Sequence, residues 1–152
     1  GQMYDWAGEF RTIQIAKYED VLGGDTVRYT FPKQIKKELD AVMKEVKKLK
    51  RTENNDSNVV FRLERIIATI WQIHPFREGN TRTCIVFAVL LAKHLGFEVN
   101  HELFKTHFAY VRNALVWASQ GTSSTVAGKY ESIGEYKVKD YVERPHEYVK
   151  DK

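Results

Sequence analysis

Cysteine, proline and long apolar runs are scarce in this chain of 152 residues. Its single cysteine, Cys84, excludes a disulfide framework and every metal site that needs several thiolates. The most apolar stretch, residues 85–92, is far shorter than the roughly 20 residues of a membrane-spanning helix. No basic and then apolar leader opens the sequence. We therefore expect a soluble, cytoplasmic domain without a membrane partner.

Apolar and charged side chains are plentiful, at 43% and 29% of the residues. Disordered tails and low-complexity linkers have a different composition, with few apolar residues. The net charge of +4 is concentrated, since residues 33–51 contain eight basic and three acidic residues. This pattern favours the solvated face of a helix, and nucleic-acid binding through this segment is the weakest alternative.

Apolar residues recur at helical spacing in four segments: residues 33–50, 58–73, 81–95 and 101–119. The first segment carries a single apolar stripe, which predicts an amphipathic helix. The second and third are apolar over a wider arc and predict two nearly buried helices, which end at Pro75 and Gly96. The fold class is therefore mainly α, a helical bundle.

The first thirty residues have a different pattern. Residues 11–15 and 26–30 alternate and contain β-branched side chains, and Gly23-Gly24 lies between them. They predict a β-hairpin with a long tip. Because an isolated hairpin is only marginally stable in water, we expect it to pack across the helices. At the other end, residues 122–152 predict a peripheral appendage or the start of a linker.

The loop between the two most apolar helices concentrates polar and charged chemistry. His74 can titrate near neutrality and serve as a general base. Glu78 is a hard oxygen ligand of the kind that magnesium takes. Gly79 and Asn80 tolerate the backbone angles of an anion-binding turn. Arg82 adds a bidentate fork for phosphate.

The loop runs directly into a helix N-terminus, which opens with Thr81 and Arg82 and favours phosphate. Each of its residues alone fits an ordinary capped helix–helix turn, with Glu78 and Arg82 as an i, i+4 pair. Taken together, the nine residues instead favour a site for phosphate-group transfer. They combine a general base, a carboxylate for a metal ion, an anion-binding turn and an arginine.

The loop sequence HPFREGNTR, residues 74–82, resembles the signature of the Fic family, His-x-Phe-x-Asp/Glu-Gly-Asn-x-Arg-x-x-Arg. The resemblance extends to WAGEFR at residues 6–11 and to FP at residues 31–32, and it covers about residues 3–121. The last arginine of the signature would fall at position 85, where this chain has Ile85.

The resemblance implies a Fic-type helical bundle in which the hairpin, about residues 11–30, is a flap across the active site. The catalytic core would span residues 1–121, with an N-terminus that we expect to be truncated. The implied activity is transfer of AMP from Mg-ATP to a Ser, Thr or Tyr hydroxyl of a target protein. His74 would take the hydroxyl proton, and Glu78 would hold the magnesium ion.

The resemblance also implies binding roles for other residues. The flap would align the target by strand addition, through Ile15, Ala16, Val27 and Arg28. The nucleotide and its phosphates would be held by a basic and polar set: Arg77, Gly79, Asn80, Thr81, Arg82, Lys17, Tyr110 and Asn113. ATP and the target protein are thus the expected partners.

Other interpretations stay open. The same fold could transfer another nucleotide or phosphate, or remove AMP, because the threading of the ligand through the loop decides which phosphate is attacked. Ile85 also fits a degenerate module that binds peptide or nucleotide without turnover. No inhibitory Ser/Thr-x-x-x-Glu motif of the family is present, so an inhibitor would be a separate protein or would precede Gly1. Toxin, delivered effector and housekeeping modifier remain alternative roles.

Overall fold

The computed structural model describes residues 5–52 and 54–120. Near the N-terminus, strand β1 (Tyr18–Glu19) pairs antiparallel with strand β2 (Asp25–Thr26), and Tyr18 lies opposite Thr26. A 3₁₀ turn (Asp20–Leu22) forms the tip between them. The rest of the described chain is mainly helical, so the predicted fold class, a helical bundle with a β-hairpin, is confirmed.

The described part of the chain has five α-helices: α1 (Ile35–Lys47), α2 (Asp56–Ile73), α3 (Asn80–His94), α4 (Glu102–Thr106) and α5 (Phe108–Gln120). All four helical segments predicted from the sequence are confirmed, but the last one is two helices rather than one. The break falls at His107, whose φ of −112° and ψ of 32° depart from helical values.

Helix α2 is the central element, because α1, α3 and α5 all pack against it. Its buried side chains include Ile66, Ile70 and Trp71, and they belong to one core cluster that also contains residues of the hairpin and of the other three helices. Burying a side chain of this size stabilises the fold by roughly 1.5–3 kcal/mol. The prediction that this helix is nearly buried is confirmed.

Helix α3 is less buried than the sequence predicts. Cys84, Leu91 and Ala92 face the interior, but Val86 and Leu90 are 58% and 61% exposed. The main neighbour of α3 in the described part of the chain is α2, and a single neighbouring helix covers only one face. The prediction of a nearly buried α3 is therefore wrong for the residues that the structure describes.

The hairpin leans on the helices as expected, because Val21 and Leu22 in its tip are buried in the core cluster. Its strands, however, are shorter than predicted and are shifted along the chain. Of residues 11–15 and 26–30, only Thr26 lies in a strand. The prediction of strands over these two segments is wrong.

Side chains explain why the two predicted strands do not pair. Arg11 donates to the carbonyl oxygen of Ile13 at 2.8 Å and to that of Thr30. Gln14 donates from Nε2 to the carbonyl oxygen of Tyr29 at 3.1 Å. These side chains thus take carbonyl groups that a strand ladder would otherwise use.

Within residues 5–52 and 54–120, no helix is both long enough and apolar enough to cross a membrane. The predicted appendage, residues 122–152, lies outside the described residues. The boundary of the predicted core at residue 121 stays a prediction.

Candidate active site

His74 lies at the C-terminal end of α2 and is only 2% exposed. Its φ of 50° and ψ of 60° are left-handed, a conformation that no other non-glycine residue in the described part of the chain adopts. This conformation costs an L-residue about 1 kcal/mol. Pro75 follows, and a residue before proline avoids the helical region. The chain therefore leaves α2 sharply at the candidate base.

The imidazole of His74 is held in one tautomer. Its Nδ1 lies 2.9 Å from the carbonyl oxygen of Trp71. Because a carbonyl oxygen can only accept, Nδ1 carries the proton and Nε2 keeps its lone pair. The ring also packs against Tyr29, with centroids 4.3 Å apart, and against Trp71, edge-on at 5.2 Å. An oriented imidazole with a lone pair on Nε2 is what a general base requires.

Burial lowers the pKa of His74 to about 4. The hydrogen bond to Trp71 acts in the opposite direction, while the charges of Lys17, Arg11 and Arg112 lower the pKa further. His74 is therefore neutral at pH 7 and can accept a proton. A negatively charged ligand beside the ring would raise its pKa again.

Asn80 shapes the loop from within. Its side chain is buried, with Oδ1 accepting the backbone N–H of Phe76 at 2.9 Å and Nδ2 donating to the carbonyl oxygen of Phe76 at 2.8 Å. Both ends of the amide are thus engaged within the loop. The phosphate contact predicted for Asn80 stays a prediction.

We expect Asn80→Asp to lower the free energy of unfolding by about 1–3 kcal/mol. The substitution keeps the acceptor for the N–H of Phe76 but loses the donor to its carbonyl oxygen and leaves two oxygen atoms facing each other. Urea unfolding at pH 7 measures the change, with the exposed Asn58→Asp on α2 as the matched control. Equal unfolding free energies in the two variants would contradict this role of Asn80.

Gly79 and Arg82 lie next to each other at the turn that the sequence predicts to bind anions. Gly79 has a φ of 78° and a ψ of 7°, which glycine adopts without a steric penalty. No side chain of a described residue caps the N-terminus of α3, so its first N–H groups remain available to an anion. A Cβ atom at Gly79 would lie 3.6 Å from Nη2 of Arg82, which places the guanidinium group beside the turn.

Thr81 links this turn to the helix that carries the base. Its Oγ1 accepts a hydrogen bond from the indole Nε1 of Trp71 at 3.0 Å. Because Oγ1 accepts this bond, the O–H of Thr81 keeps its own donor. The phosphate contact predicted for Thr81 can therefore use either its hydroxyl or its backbone N–H.

Glu78 has the features of a ligand for a shared magnesium ion. Its side chain is exposed and makes no hydrogen bond or ion pair with a described residue. The described residues contain no group of three or more His, Cys, Asp or Glu side chains that could hold a metal ion by themselves. Magnesium is usually bound by one or two carboxylates together with substrate phosphates. Glu78 beside the anion-binding turn fits this arrangement.

Comparison with known proteins agrees with this geometry. The sequence profile described as the Fic/DOC family matches residues 1–92, which is more than half of the chain. The chain belongs to the Fic/DOC family. The matched part of this Fic domain includes the hairpin, α1, α2 and the whole loop from His74 to Arg82.

Two curated proteins are similar to this Fic domain. One is the probable protein adenylyltransferase y4lH of Sinorhizobium fredii, 31% identical over 100 residues, which are 64% of this chain and 48% of that protein. The other is the protein adenylyltransferase VbhT of Bartonella schoenbuchensis, 27% identical over 101 residues, which are 66% of this chain and 20% of that protein. The chain therefore spans about half the length of one relative and a fifth of the other. No solved structure gives a significant match.

Two further predicted phosphate ligands of the Fic domain lie around the loop. The positive charge of Lys17 contributes to lowering the pKa of His74, and its contact with phosphate stays a prediction. The guanidinium group of Arg77 instead lies 5.1 Å from the centre of the Trp6 ring, as a cation–π contact. Arg77 thus joins the loop to the segment before the hairpin, and its contact with phosphate stays a prediction.

The two nucleotide-binding residues predicted on the last helix lie on α5. Tyr110 is 74% exposed and lines a groove of about 430 Å³ with residues of α4, α5 and the turn between them: Leu103, Phe104, His107 and Val111. None of these lining residues belongs to the loop of residues 74–82. Asn113 is half-buried on the same helix. The nucleotide contacts of Tyr110 and Asn113 therefore stay predictions.

The four residues predicted to dock a target differ in exposure. Ala16 and Arg28 are exposed, and Ile15 is half-buried against the core. Val27 is buried in the core, so it can offer a target only its backbone.

Sequence reasoning missed a buried ion pair near the base. Glu19 is buried, and its Oε2 lies 2.8 Å from a guanidinium nitrogen of Arg112 on α5. The hydroxyl of Tyr29 donates to Oε1 of Glu19 at 3.4 Å, and the ring of Tyr29 packs on His74. Burial raises the pKa of Glu19, and the charge of Arg112 opposes this rise. Glu19 and Arg112 are 93 positions apart, and no local pattern in the sequence pairs them.

Proposed function

We propose that this Fic domain is a protein adenylyltransferase, which transfers AMP from ATP to a Ser, Thr or Tyr hydroxyl of a target protein. The observation that carries the proposal is the buried imidazole of His74, protonated on Nδ1 and followed within the same loop by the anion-binding turn of Gly79 and Arg82. One relative is named a protein adenylyltransferase and the other a probable one, which supports adenylyl transfer as the reaction.

In the proposed reaction, Nε2 of His74 accepts the proton of the target hydroxyl. The hydroxyl oxygen then attacks the α-phosphorus of ATP and forms a phosphodiester bond to AMP. The bond from the α-phosphorus to the bridging oxygen breaks, and pyrophosphate leaves. Phosphoryl transfer depends mainly on positioning the reactants and on neutralising their charge. The pKa of His74 is low without a ligand, and the negative charge of a bound polyphosphate would raise it.

The negative charge of the polyphosphate is neutralised by backbone N–H groups and by two basic side chains. The N–H groups at the start of α3 and the guanidinium group of Arg82 bind phosphate oxygens. Lys17 supplies a second positive charge near His74. Glu78 is the residue to hold magnesium, which when bound neutralises phosphate charge.

The position of the label in ATP tests the proposed reaction. We incubate the purified chain and a protein lysate with Mg-ATP that carries ³²P on either the α- or the γ-phosphate. Relative to lysate incubated without the chain, we expect additional label on protein with α-labelled ATP only, because AMP retains the α-phosphate and pyrophosphate carries the γ-phosphate away.

Other outcomes contradict adenylyl transfer. Additional protein label from the γ-position, over that in lysate without the chain, indicates phosphate transfer by the same fold. Absence of label in both reactions, together with calorimetric binding of ATP, indicates a module that binds nucleotide without turnover. Ile85, at the place of the last arginine of the signature, is the feature that favours this second candidate.

A further inference from the structure

Arg11 is a buried arginine that faces carbonyl oxygens rather than a carboxylate. Its side chain is only 2% exposed. Its Nε donates to the carbonyl oxygen of His74 at 2.7 Å, and its Nη2 donates to that of Ile73 at 3.2 Å. Among the ion pairs of residues 5–52 and 54–120, none involves Arg11. The end of α2 is thus a principal partner of this guanidinium group.

The same guanidinium group reaches the hairpin segment. Nη1 of Arg11 donates to the carbonyl oxygen of Ile13 at 2.8 Å, and Nη2 donates to that of Thr30. The backbone N–H of Arg11 donates to the carbonyl oxygen of Pro75 at 2.8 Å. One residue therefore joins both sides of the hairpin segment to the point where the chain leaves α2.

The end of α2 needs such a donor. The last carbonyl groups of a helix have no partner within the helix, and they carry the negative end of its dipole. Here the chain turns into the left-handed region at His74, and Pro75 has no N–H to offer. A buried guanidinium group satisfies these carbonyls, and the helix dipole in turn stabilises its charge.

We infer that Arg11 is a positioning residue for the catalytic base, because its guanidinium group caps the carbonyls of Ile73 and His74 and fixes the left-handed backbone from which the imidazole projects. The inference rests on the proposed function of His74. Two points then orient the ring: Trp71 holds Nδ1, and Arg11 holds the backbone.

The Arg11→Lys variant separates the positioning role of the guanidinium group from the effect of its positive charge. A lysine keeps the positive charge, but its single ammonium group cannot span four carbonyl oxygens as a planar guanidinium group does. In Arg11→Lys we expect kcat for AMP transfer to fall about 100-fold, as for a reacting group displaced by about 1 Å. The KM for ATP should change less than threefold, since Arg11 does not contact the anion-binding turn. The matched control is Arg65→Lys, which alters an exposed arginine on α2.

A second readout does not depend on turnover. With ¹⁵N-labelled histidine, the wild-type chain at pH 7 should show His74 protonated on Nδ1, and Arg11→Lys should show a mixture of both tautomers. Activities and spectra are recorded at a temperature at which circular dichroism shows each variant to be folded. Arg11→Lys serves as the main variant, because Arg11→Ala would also leave a buried cavity.

The two proposals fail in different ways. A wild-type kcat in Arg11→Lys, or a single unchanged tautomer, overturns the positioning role of Arg11. Full activity of His74→Ala overturns the proposed role of His74 instead. If the wild-type chain transfers no AMP, kcat gives no information. The tautomer of His74 in Arg11→Lys then decides by itself whether Arg11 positions the ring.

Discussion

The His74→Ala variant should transfer AMP about 1000-fold more slowly than the wild-type chain, because the group that accepts the hydroxyl proton is gone. The imidazole is suited to this role by its Nδ1–H bond to Trp71, which leaves the lone pair on Nε2. The effect is measured as the single-turnover rate of label transfer from α-labelled ATP. Mg-ATP is kept saturating, so that a change in nucleotide affinity does not alter the measured rate.

The alanine variant also removes a buried ring that packs on Tyr29 and Trp71, so its stability needs a control. His74→Asn is the matched variant, because asparagine tolerates the left-handed conformation and keeps a polar side chain while losing the base. Both variants should lose transfer to a similar extent. His94→Ala, which alters an exposed histidine on α3, should keep the wild-type rate. Transfer by His74→Asn at the wild-type rate would exclude His74 as the base.

Arg112→Leu should lower the free energy of unfolding by about 3–5 kcal/mol at pH 7, since it leaves the carboxylate of Glu19 buried without its partner. The double variant Glu19→Gln/Arg112→Leu should recover most of this loss, because neither charge is then buried. The exposed pair of Arg62 and Glu45, 3.7 Å apart, offers the matched control, and Arg62→Leu should change the unfolding free energy by less than about 1 kcal/mol.

The pH dependence of this loss has a definite sign. Folding raises the pKa of Glu19 above its ordinary value of 4.5, so the folded state binds the proton more tightly. Stability therefore falls as the pH rises from about 4.5 to the folded pKa. Without Arg112 the folded pKa is higher still, so the fall extends to higher pH. Urea unfolding should show a small difference between Arg112→Leu and wild type at pH 4 and a large one at pH 8, and a constant difference would contradict the assignment.

Local features of this chain could be predicted from its sequence, because local periodicity and local motifs decide them. The apolar spacing of α2 and the proline at its end give both the helix and its boundary. The loop of residues 74–82 could be singled out as a candidate site because its polar and charged residues lie within one short stretch of chain. Gly79 does adopt the left-handed conformation that the sequence suggests.

The features that the sequence could not predict depend on contacts between residues that are distant along the chain. The alternation of residues 11–15 suggests a strand, but the side chain of Arg11 takes carbonyls of Ile13 and Thr30. The ion pair of Glu19 and Arg112 likewise follows from the fold, which brings the hairpin against α5. The exposed Val86 and Leu90 on α3 are apolar like core residues, so composition alone assigns them to the interior.

Trp71 contacts both halves of the loop, since its carbonyl oxygen holds the imidazole and its indole N–H holds Thr81. One residue, Trp71, therefore ties the imidazole of His74 to the start of α3, through its backbone on one side and its indole ring on the other. Such a loop is preorganised, so under the proposed function little binding free energy would be lost to ordering it when ATP and the hydroxyl bind.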